Sequence, residues 1–211
     1  MTEKHLNDGE RFVEEYLENR KRLEDAHAYS RADEHDACGV GFVAAIDGQP
    51  RRSVVEGAIG ALKAVWHRGA VDADGKTGDG AGIHVQVPQD FFKEHIARTG
   101  RTPAPGRLAV GVVFLPRTDF AAQERCRAIV ESEILAYGHL IYGWRQVPVN
   151  VDIIGEKANA TRPEIEQIMI ANNRGVDNPQ FDLDLYIIRR RIEKKIWAES
   201  INEFYICSLS C

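Results

Sequence analysis

Apolar residues recur at helical spacing in several parts of the chain. Residues 9–27 show this pattern with charged residues between the apolar ones, which predicts an amphipathic helix. The apolar positions of this helix are Phe12, Val13, Tyr16, Leu17 and Leu23. Further helices are predicted from residue 53 to about residue 67, over residues 89–97 and 118–137, and from residue 161 onward.

Two of these predicted helices begin with the sequence of a capping box. Glu56 follows Ser53 by three residues and Glu164 follows Thr161 in the same way, so each hydroxyl can cap the first free amides. Pro163 supports the second prediction, since proline is favoured in the first turn. The inward faces would carry Val55, Ile59, Leu62 and Trp66 in one helix, and Ala122, Cys126, Ile129, Val130 and Ile134 in the helix over residues 118–137.

Short apolar runs between these helices predict strands. The predicted strands span residues 40–46, 83–87, 108–114, 140–144, 149–154, 181–188 and 203–209. Strands that alternate with helices are typical of the α/β and α+β classes, in which helices cover both faces of the sheet. The pattern therefore predicts a globular domain with mixed secondary structure.

The charge of the chain is unevenly distributed. The chain of 211 residues has a net charge of −5, and residues 1–37 alone hold 11 acidic and 6 basic residues. In residues 38–211 the acidic and basic residues are equal in number, so this part of the chain has no excess positive charge to bind nucleic acid. Residues 1–5 lack the apolar start of a secretory signal, and no apolar run approaches the ~18 residues of a membrane span. We expect a cytoplasmic protein with no membrane partner.

The four cysteines do not form a metal-binding pattern. Cys38, Cys126, Cys207 and Cys211 include no C-x-x-C pair, and no histidine cluster accompanies them. This argues against zinc and iron–sulfur sites within the chain. In the cytoplasm all four thiols are expected to be reduced.

Cys38 is the first candidate for chemistry. It lies between a polar segment and an apolar run, with the small residue Ala37 before it and Gly39 after it. Cleavage between Ala37 and Cys38 would give a cysteine whose own α-amine can take the thiol proton. A buried structural cysteine is the alternative, because free cysteines are usually buried and inert.

Arg68 is the second candidate. It follows the predicted helix that begins at Ser53, and its guanidinium could hold a substrate carboxylate through two parallel hydrogen bonds. The alternative is a solvated cation that stabilises the helix C-terminus. His67 is interpreted as a packed or surface residue, because an N-terminal amine would make a second base unnecessary.

Two further motifs have structural interpretations. The glycine-rich residues 77–82 lack the Lys-Ser/Thr of a phosphate loop and precede a predicted strand, which predicts a tight loop near the active site. The basic residues within 189–195 are interpreted as a solvated face, because the body of the chain is neutral overall.

Together these motifs resemble a known family. The segments CGVGF (38–42), WHRGA (66–70), TGDGAG (77–82), YGWRQVP (142–148) and DLYIIRRR (184–191) resemble the N-terminal class II glutamine amidotransferase domain of the bacterial glutamate synthase large (alpha) chain. The resemblance covers residues 38–210 almost continuously.

The resemblance implies a fold and a reaction. The fold would be α+β, the four-layer αββα sandwich of the N-terminal-nucleophile hydrolases, with residues 1–37 as a propeptide and 38–211 as a partial domain. Cys38 would attack the side-chain amide of L-glutamine, and Arg68 would bind the glutamine. A γ-glutamyl thioester would form, ammonia would leave, and water would release glutamate.

The resemblance also implies partners outside this chain. In the full-length family, ammonia reacts with 2-oxoglutarate, and the electrons come through FMN and an iron–sulfur cluster from NADPH on the small (beta) subunit. No Asn-Gly pair, which supplies the family's oxyanion donors, occurs in these residues. Because one such donor is worth roughly 10²–10³ in rate, we expect the chain alone to be inactive or nearly so. A truncated non-catalytic remnant and another class II amidotransferase remain the alternatives.

Overall fold

The computed structural model describes residues 8–26, 39–173 and 180–211. The chain divides into two units, Met1–Val40 and Gly41–Cys211, which are described separately below. The polar segment before Cys38 is predicted to be a linker over residues 30–36. This segment, the predicted cleavage boundary between Ala37 and Cys38, and Cys38 itself lie outside the described residues.

The first unit contains one helix, α1 (Asp8–Asp25), among its described residues, and this confirms the amphipathic helix predicted over residues 9–27. Its last turns carry two ion pairs four residues apart. Arg20 Nε lies 3.3 Å from Glu24, and Lys21 Nζ lies 2.8 Å from Asp25. Such pairs stabilise a helix by a few tenths of a kcal/mol each, about 0.2–0.5.

The second unit is built on one antiparallel sheet. Its strands are β1 (Leu108–Leu115), β2 (Leu140–Gln146), β3 (Glu164–Ala171) and β4 (Tyr205–Ser210), in the order β2-β3-β1-β4. β1 is central, and its Val110 lies opposite Met169 of β3 and Ser210 of β4. β1, β2 and β4 confirm three of the predicted strands.

Five helices accompany the sheet in the described part of this unit. They are α2 (Arg52–Ala64), α3 (Gln89–Arg98), α4 (Phe120–Ala136), α5 (Glu156–Thr161) and α6 (Phe181–Ala198), with short 3₁₀ turns at Trp66–Arg68 and Val151–Ile153. α2, α3 and α4 confirm predicted helices. The α+β class is therefore confirmed.

The alternating side chains of β1 divide the core into two clusters. Ala109, Val113 and Leu115 face one side, where they are buried with side chains of α4 and α6. Leu108 and Val110 face the other side, where they are buried with Phe92 and Ile96 of α3 and Met169 of β3. Helices therefore cover both faces of the sheet, as expected for strands whose successive side chains point to opposite faces.

The strand predicted over residues 181–188 is wrong, because this segment forms the first half of α6. Phe181, Leu183 and Leu185 alternate with acids as in a strand, and this short-range pattern suggested period two. Burial instead selects a helical face, formed by Phe181, Leu185, Ile188, Ile192 and Ile196. Asp182 and Asp184 lie in the first turn, where negative charge favours the helix.

The helix predicted to begin at Thr161 is also wrong. Thr161 is the last residue of α5, Arg162 is extended, and β3 begins at Glu164. The capping-box sequence is present, but the residue before a proline is disfavoured in the helical region, so Pro163 excludes a helix start here. Residues 149–154, predicted as a strand, hold the 3₁₀ turn Val151–Ile153.

Residues 40–46 and 83–87 do not form strands in the structure, contrary to prediction. Val40, Phe42 and Ile46 are at least 87% exposed, so the first of these runs is not buried either. An apolar run becomes a strand only where a neighbouring strand satisfies its amides and carbonyls. Such pairing is a tertiary property that the local sequence does not encode.

The capping box predicted at Ser53 is wrong in its details. α2 begins one residue earlier, at Arg52, and its N-cap Arg51 makes no side-chain capping bond. The predicted inward face is confirmed in part, because Val55, Ile59 and Leu62 are half-buried whereas Trp66 is 79% exposed.

Candidate functional site

The structure describes the side chain of neither predicted site residue, Cys38 or Arg68. Cys38 lies outside the described residues, and Arg68 is described only by its backbone. Their predicted roles therefore stay predictions. What the structure does show is the framework that carries the backbone of Arg68.

Arg68 is the last residue of a tight turn that follows α2. The 3₁₀ turn Trp66–Arg68 begins two residues after the end of α2, and the amide of Gly69 donates to the carbonyl of Trp66 at 3.0 Å. His67 is exposed, which confirms its interpretation as a surface residue. The turn is thus closed by its own backbone.

A loop over residues 70–79 follows the turn and is closed at its base by Asp79. The Asp79 carboxylate accepts from the amide of Ala70 at 2.8 Å, and the Asp79 amide donates to the carbonyl of Ala70 at 3.3 Å. An isolated antiparallel bridge joins Val71 to Gly78 beside this pair. Ala70 is two residues from Arg68, so this closure holds the chain directly after the candidate arginine.

Asp74 organises the tip of the same loop. Its carboxylate accepts from the Thr77 hydroxyl at 2.5 Å and from the amides of Thr77 and Lys76 at 2.7 and 2.9 Å. These hydrogen bonds, that of the Thr77 hydroxyl first, hold the pKa of Asp74 at about 2. The carboxylate is therefore ionised at neutral pH and keeps the tip in one conformation.

Residues 77–79, the first half of the glycine-rich motif, close a tight loop, which confirms the predicted loop. Its predicted place near the active site stays a prediction. Residues 70–79 close on themselves, and the next helix, α3, begins only at Gln89. A phosphate-binding loop would instead lead directly into a helix N-terminus. Sequence reasoning singled out this motif but missed Asp79, for which the only available signal was a carboxylate between two glycines.

The basic stretch of α6 is largely engaged in ion pairs. Arg189 and Arg190 pair with Glu193, whereas Arg191 and Lys195 pair with Glu133 of α4. Arg190, Arg191 and Lys195 remain at least half exposed while they make these pairs, in agreement with their interpretation as a solvated face.

The three thiols in the described part of the chain are free, and two of them, Cys126 and Cys211, are poorly suited to nucleophilic work. Burial raises the pKa of Cys126 to about 11. Burial, and then the hydrogen bond to Asp182, raise the pKa of Cys211 to about 11. Both thiols are thus protonated at neutral pH, whereas the reactive form of cysteine is the thiolate. Cys207 is exposed and serves below as a control.

Neither a metal cluster nor a membrane span is found where the structure describes the chain. No three His, Cys, Asp or Glu side chains within residues 8–26, 39–173 and 180–211 are grouped so that they could hold a metal ion. No helix in those ranges is both long and apolar enough to cross a membrane.

Comparison with known proteins identifies the family. Residues 38–211 match the family model of class-II glutamine amidotransferases. The chain is 70% identical over 205 residues to the glutamate synthase [NADPH] large chain of Azospirillum brasilense, a match that covers 97% of this chain and 14% of the relative.

Two more distant relatives show the same relation. The chain is 42% identical over 181 residues to ferredoxin-dependent glutamate synthase 2 of a Synechocystis species, covering 85% of this chain and 11% of the relative. It is 37% identical over 182 residues to the glutamate synthase [NADPH] large chain of Bacillus subtilis, a match that covers 84% of this chain and 12% of the relative.

The chain thus spans about a seventh or less of the length of these relatives. The resemblance drawn from the sequence motifs is confirmed by these matches. The chain belongs to the family of class-II glutamine amidotransferases.

Proposed function

We propose that residues 38–211 belong to the glutaminase domain of a glutamate synthase large chain, which in its complete form hydrolyses L-glutamine to glutamate and ammonia. One observation carries the proposal: the family match begins at Cys38. A match that starts at a cysteine suits a domain whose first residue is the nucleophile. It also supports the proposal that residues 1–37 are a propeptide, removed to free the α-amine of Cys38.

The proposed reaction has two steps. The α-amine of Cys38 takes the thiol proton, and the thiolate attacks the side-chain carbonyl carbon of glutamine. The tetrahedral oxyanion collapses as the C–N bond breaks, and the nitrogen leaves as ammonia with the transferred proton. Water then attacks the γ-glutamyl thioester, the C–S bond breaks, and glutamate and the free thiol are restored.

The proposed role of Arg68 is to bind glutamine. A guanidinium can hold the α-carboxylate of an amino acid through two parallel hydrogen bonds. The closed turn and the loop closure at Ala70 support this role, because they give the backbone of Arg68 a defined position. A fixed cation orients the amide of the substrate relative to the nucleophile.

The finer architecture and the wider context are also proposals. Family membership supports the four-layer αββα sandwich, of which the structure describes one sheet with helices on both faces. The name of the first relative, a glutamate synthase [NADPH] large chain, supports a small (beta) subunit as partner. The proposal that 2-oxoglutarate accepts the ammonia rests on the family resemblance. FMN and an iron–sulfur cluster are proposed for the part of the whole protein outside residues 38–211, as the family resemblance implies.

We retain the cytoplasm as the proposed compartment. The proposed chemistry needs Cys38 as a free thiol, and Cys126, Cys207 and Cys211 are also free in the structure. Cytosolic reductants keep thiols in that state.

An intact mass tests the nucleophile. After incubation with a diazoketone analogue of glutamine, the chain is expected to begin at Cys38 and to carry one adduct. Cys38→Ala is expected to carry none, because the attacking sulfur is gone, whereas Cys207→Ala should retain the adduct. A chain that keeps residues 1–37 and stays unmodified would refute the proposal, as would an adduct that survives in Cys38→Ala.

Arg68→Lys tests substrate binding. Lysine keeps the charge but loses the planar two-point contact, so the analogue concentration for half-maximal capture should rise by about 10- to 100-fold. The measurement is the rate of adduct formation against analogue concentration. Lys63→Arg, an exchange on the exposed surface of α2, is the matched control and should leave the curve unchanged. An unchanged curve for Arg68→Lys would remove Arg68 from the site.

A further inference from the structure

The tip of the loop over residues 70–79 lies directly against Gly155, a residue about 80 positions further along the chain. A Cβ atom on Gly155 would lie 2.0 Å from Thr77 Oγ1, 2.5 Å from Asp74 Oδ2 and 2.5 Å from the Thr77 backbone nitrogen. Real Cβ atoms do not approach other heavy atoms so closely. Since one of the three is a backbone atom, a change of rotamer cannot relieve the clash.

A second contact holds the same tip. Lys157 Nζ, in the first turn of α5, lies 2.7 Å from Asp72 Oδ2. The segment over residues 155–157 connects β2 to β3, the paired strands at one side of the sheet. The loop is therefore tied to the sheet at its tip, in addition to its closure on Asp79 at its base.

The contacts of the loop with Gly155 and Lys157 are connected to the backbone of Arg68 through the loop itself. Tip and base are joined by the short antiparallel pairing of Val71 with Gly78, and Asp72 N donates to the Thr77 carbonyl at 2.7 Å. Gly78 is also close to Ala70, whose carbonyl oxygen lies 3.0 Å from the place of a Cβ on Gly78. A shift of the tip is thus passed to Ala70 and to the turn that contains Arg68.

We infer that Gly155 is a positioning residue for glutamine binding: it seats the loop over residues 70–79 against the sheet and thereby places Arg68. This inference rests on the proposed role of Arg68. Gly155 does not touch the substrate in this view. Its requirement is the absence of a side chain at the point where two backbone segments meet.

Gly155→Ala tests the inference. The added methyl group must displace Thr77, and a misplacement of about 1 Å can cost on the order of 10²-fold, so half-maximal capture of the diazoketone analogue should need about 10- to 100-fold more analogue. The alkylation of Cys38 by iodoacetamide should change little, because the nucleophile itself is untouched. Gly60→Ala on α2, where no atom lies within 4 Å of the new methyl group, is the matched control.

Hydrogen exchange reports the loop independently of glutamine. The amides of Ala70, Lys76 and Thr77 donate to carboxylates of the loop and should exchange slowly in the unaltered chain and faster in Gly155→Ala. If the unaltered chain captures the analogue and Gly155→Ala captures it with the same concentration dependence, the positioning role is overturned while the proposed function stands. If the loop amides are protected but the unaltered chain captures no analogue, the proposed function fails and the inference with it.

If Gly155→Ala fails to fold, a second pair of variants tests whether the loop over residues 70–79 positions Arg68. Asp79→Ala removes the acceptor for the Ala70 amide, whereas Asp79→Asn keeps an oxygen that can accept the same bond. Weaker capture in Asp79→Ala that is restored in Asp79→Asn would support positioning through the loop. If Asp79→Ala and Asp79→Asn both capture the analogue with the concentration dependence of the unaltered chain, positioning through the loop is overturned.

Discussion

Ile188→Ala is expected to lower the free energy of unfolding of the chain by about 2–5 kcal/mol. Ile188 is 0% exposed and lies near the middle of α6, where it belongs to the core cluster formed with α4 and the sheet. Truncation to alanine removes apolar contacts and leaves a cavity that close-packed neighbours fill only in part. Urea denaturation followed by circular dichroism gives the change in the midpoint.

Tyr186→Ala is the matched control for this prediction. Tyr186 is 61% exposed on the opposite side of α6, so its loss should cost less than about 0.5 kcal/mol. If residues 181–188 formed a strand, Tyr186 and Ile188 would lie on the same face, and both truncations would lower the free energy of unfolding by similar amounts. Similar losses for the two variants would therefore contradict the helix and restore the strand.

This contrast shows which parts of the fold the sequence could predict. α1 keeps one apolar periodicity along its length, so its helical state follows from the local pattern. α4 was predicted from a weaker pattern, because Gln123 and Glu133 lie on its buried face beside Cys126, Ile129, Val130 and Ile134. β1 is a continuous apolar run whose two faces are both buried, and it was predicted almost to the residue. A long and consistent apolar pattern is thus enough to predict a helix or a buried strand from the sequence.

The errors fall where a short pattern fits two periods or where a partner is needed. The first eight residues of α6 satisfy period two and period 3.6 about equally well, and only the packing of Ile192 and Ile196 further along decides between them. A strand at residues 40–46 or 83–87 would need hydrogen-bonded neighbours, which the local sequence does not specify. Tertiary context supplies both kinds of information.

The candidate site divides in the same way. The residue types around Cys38 and Arg68 predict chemistry from adjacent positions, and both predictions await the experiments above. Asp79 and Gly155 carry no such local signal. Asp79 matters through its contact with Ala70, nine residues earlier, and Gly155 through its contact with Thr77, some 80 residues earlier. Neither contact leaves a periodicity in the sequence.

Glu133→Gln is expected to destabilise the chain at neutral pH and to do so less in acid. Glu133 of α4 is only 1% exposed, and its carboxylate lies 2.5 Å from Arg191 Nε and also accepts from Lys195 of α6. Burial by itself would raise the pKa of Glu133. The hydrogen bonds from Lys195 and Arg191, with their charges, outweigh burial and lower it below its ordinary value.

The direction of the pH dependence follows from that lowered pKa. A carboxyl group whose pKa is lower in the folded state contributes stability above its unfolded pKa, about 4.3 for glutamate, and loses it as the pH falls through the folded pKa. At pH 7, Glu133→Gln should lower the free energy of unfolding by about 1–3 kcal/mol. This is less than the loss of a fully buried ion pair would cost, because Arg191 and Lys195 are half-exposed and can be solvated by water when the carboxylate is removed. In acid the difference should narrow, since both chains then lack the charge.

Urea unfolding of both chains between pH 7 and pH 3 measures this narrowing. Glu94→Gln is the matched control, because Glu94 pairs with Arg98 on the surface of α3 with 64% of its side chain exposed. An exposed pair is worth little, so this variant should change the free energy of unfolding by less than about 0.5 kcal/mol at every pH. A cost of Glu133→Gln that stays constant down to pH 3 would mean that the charge of Glu133 does not stabilise the packing of α4 against α6. Shape and hydrogen bonding alone would then hold that contact.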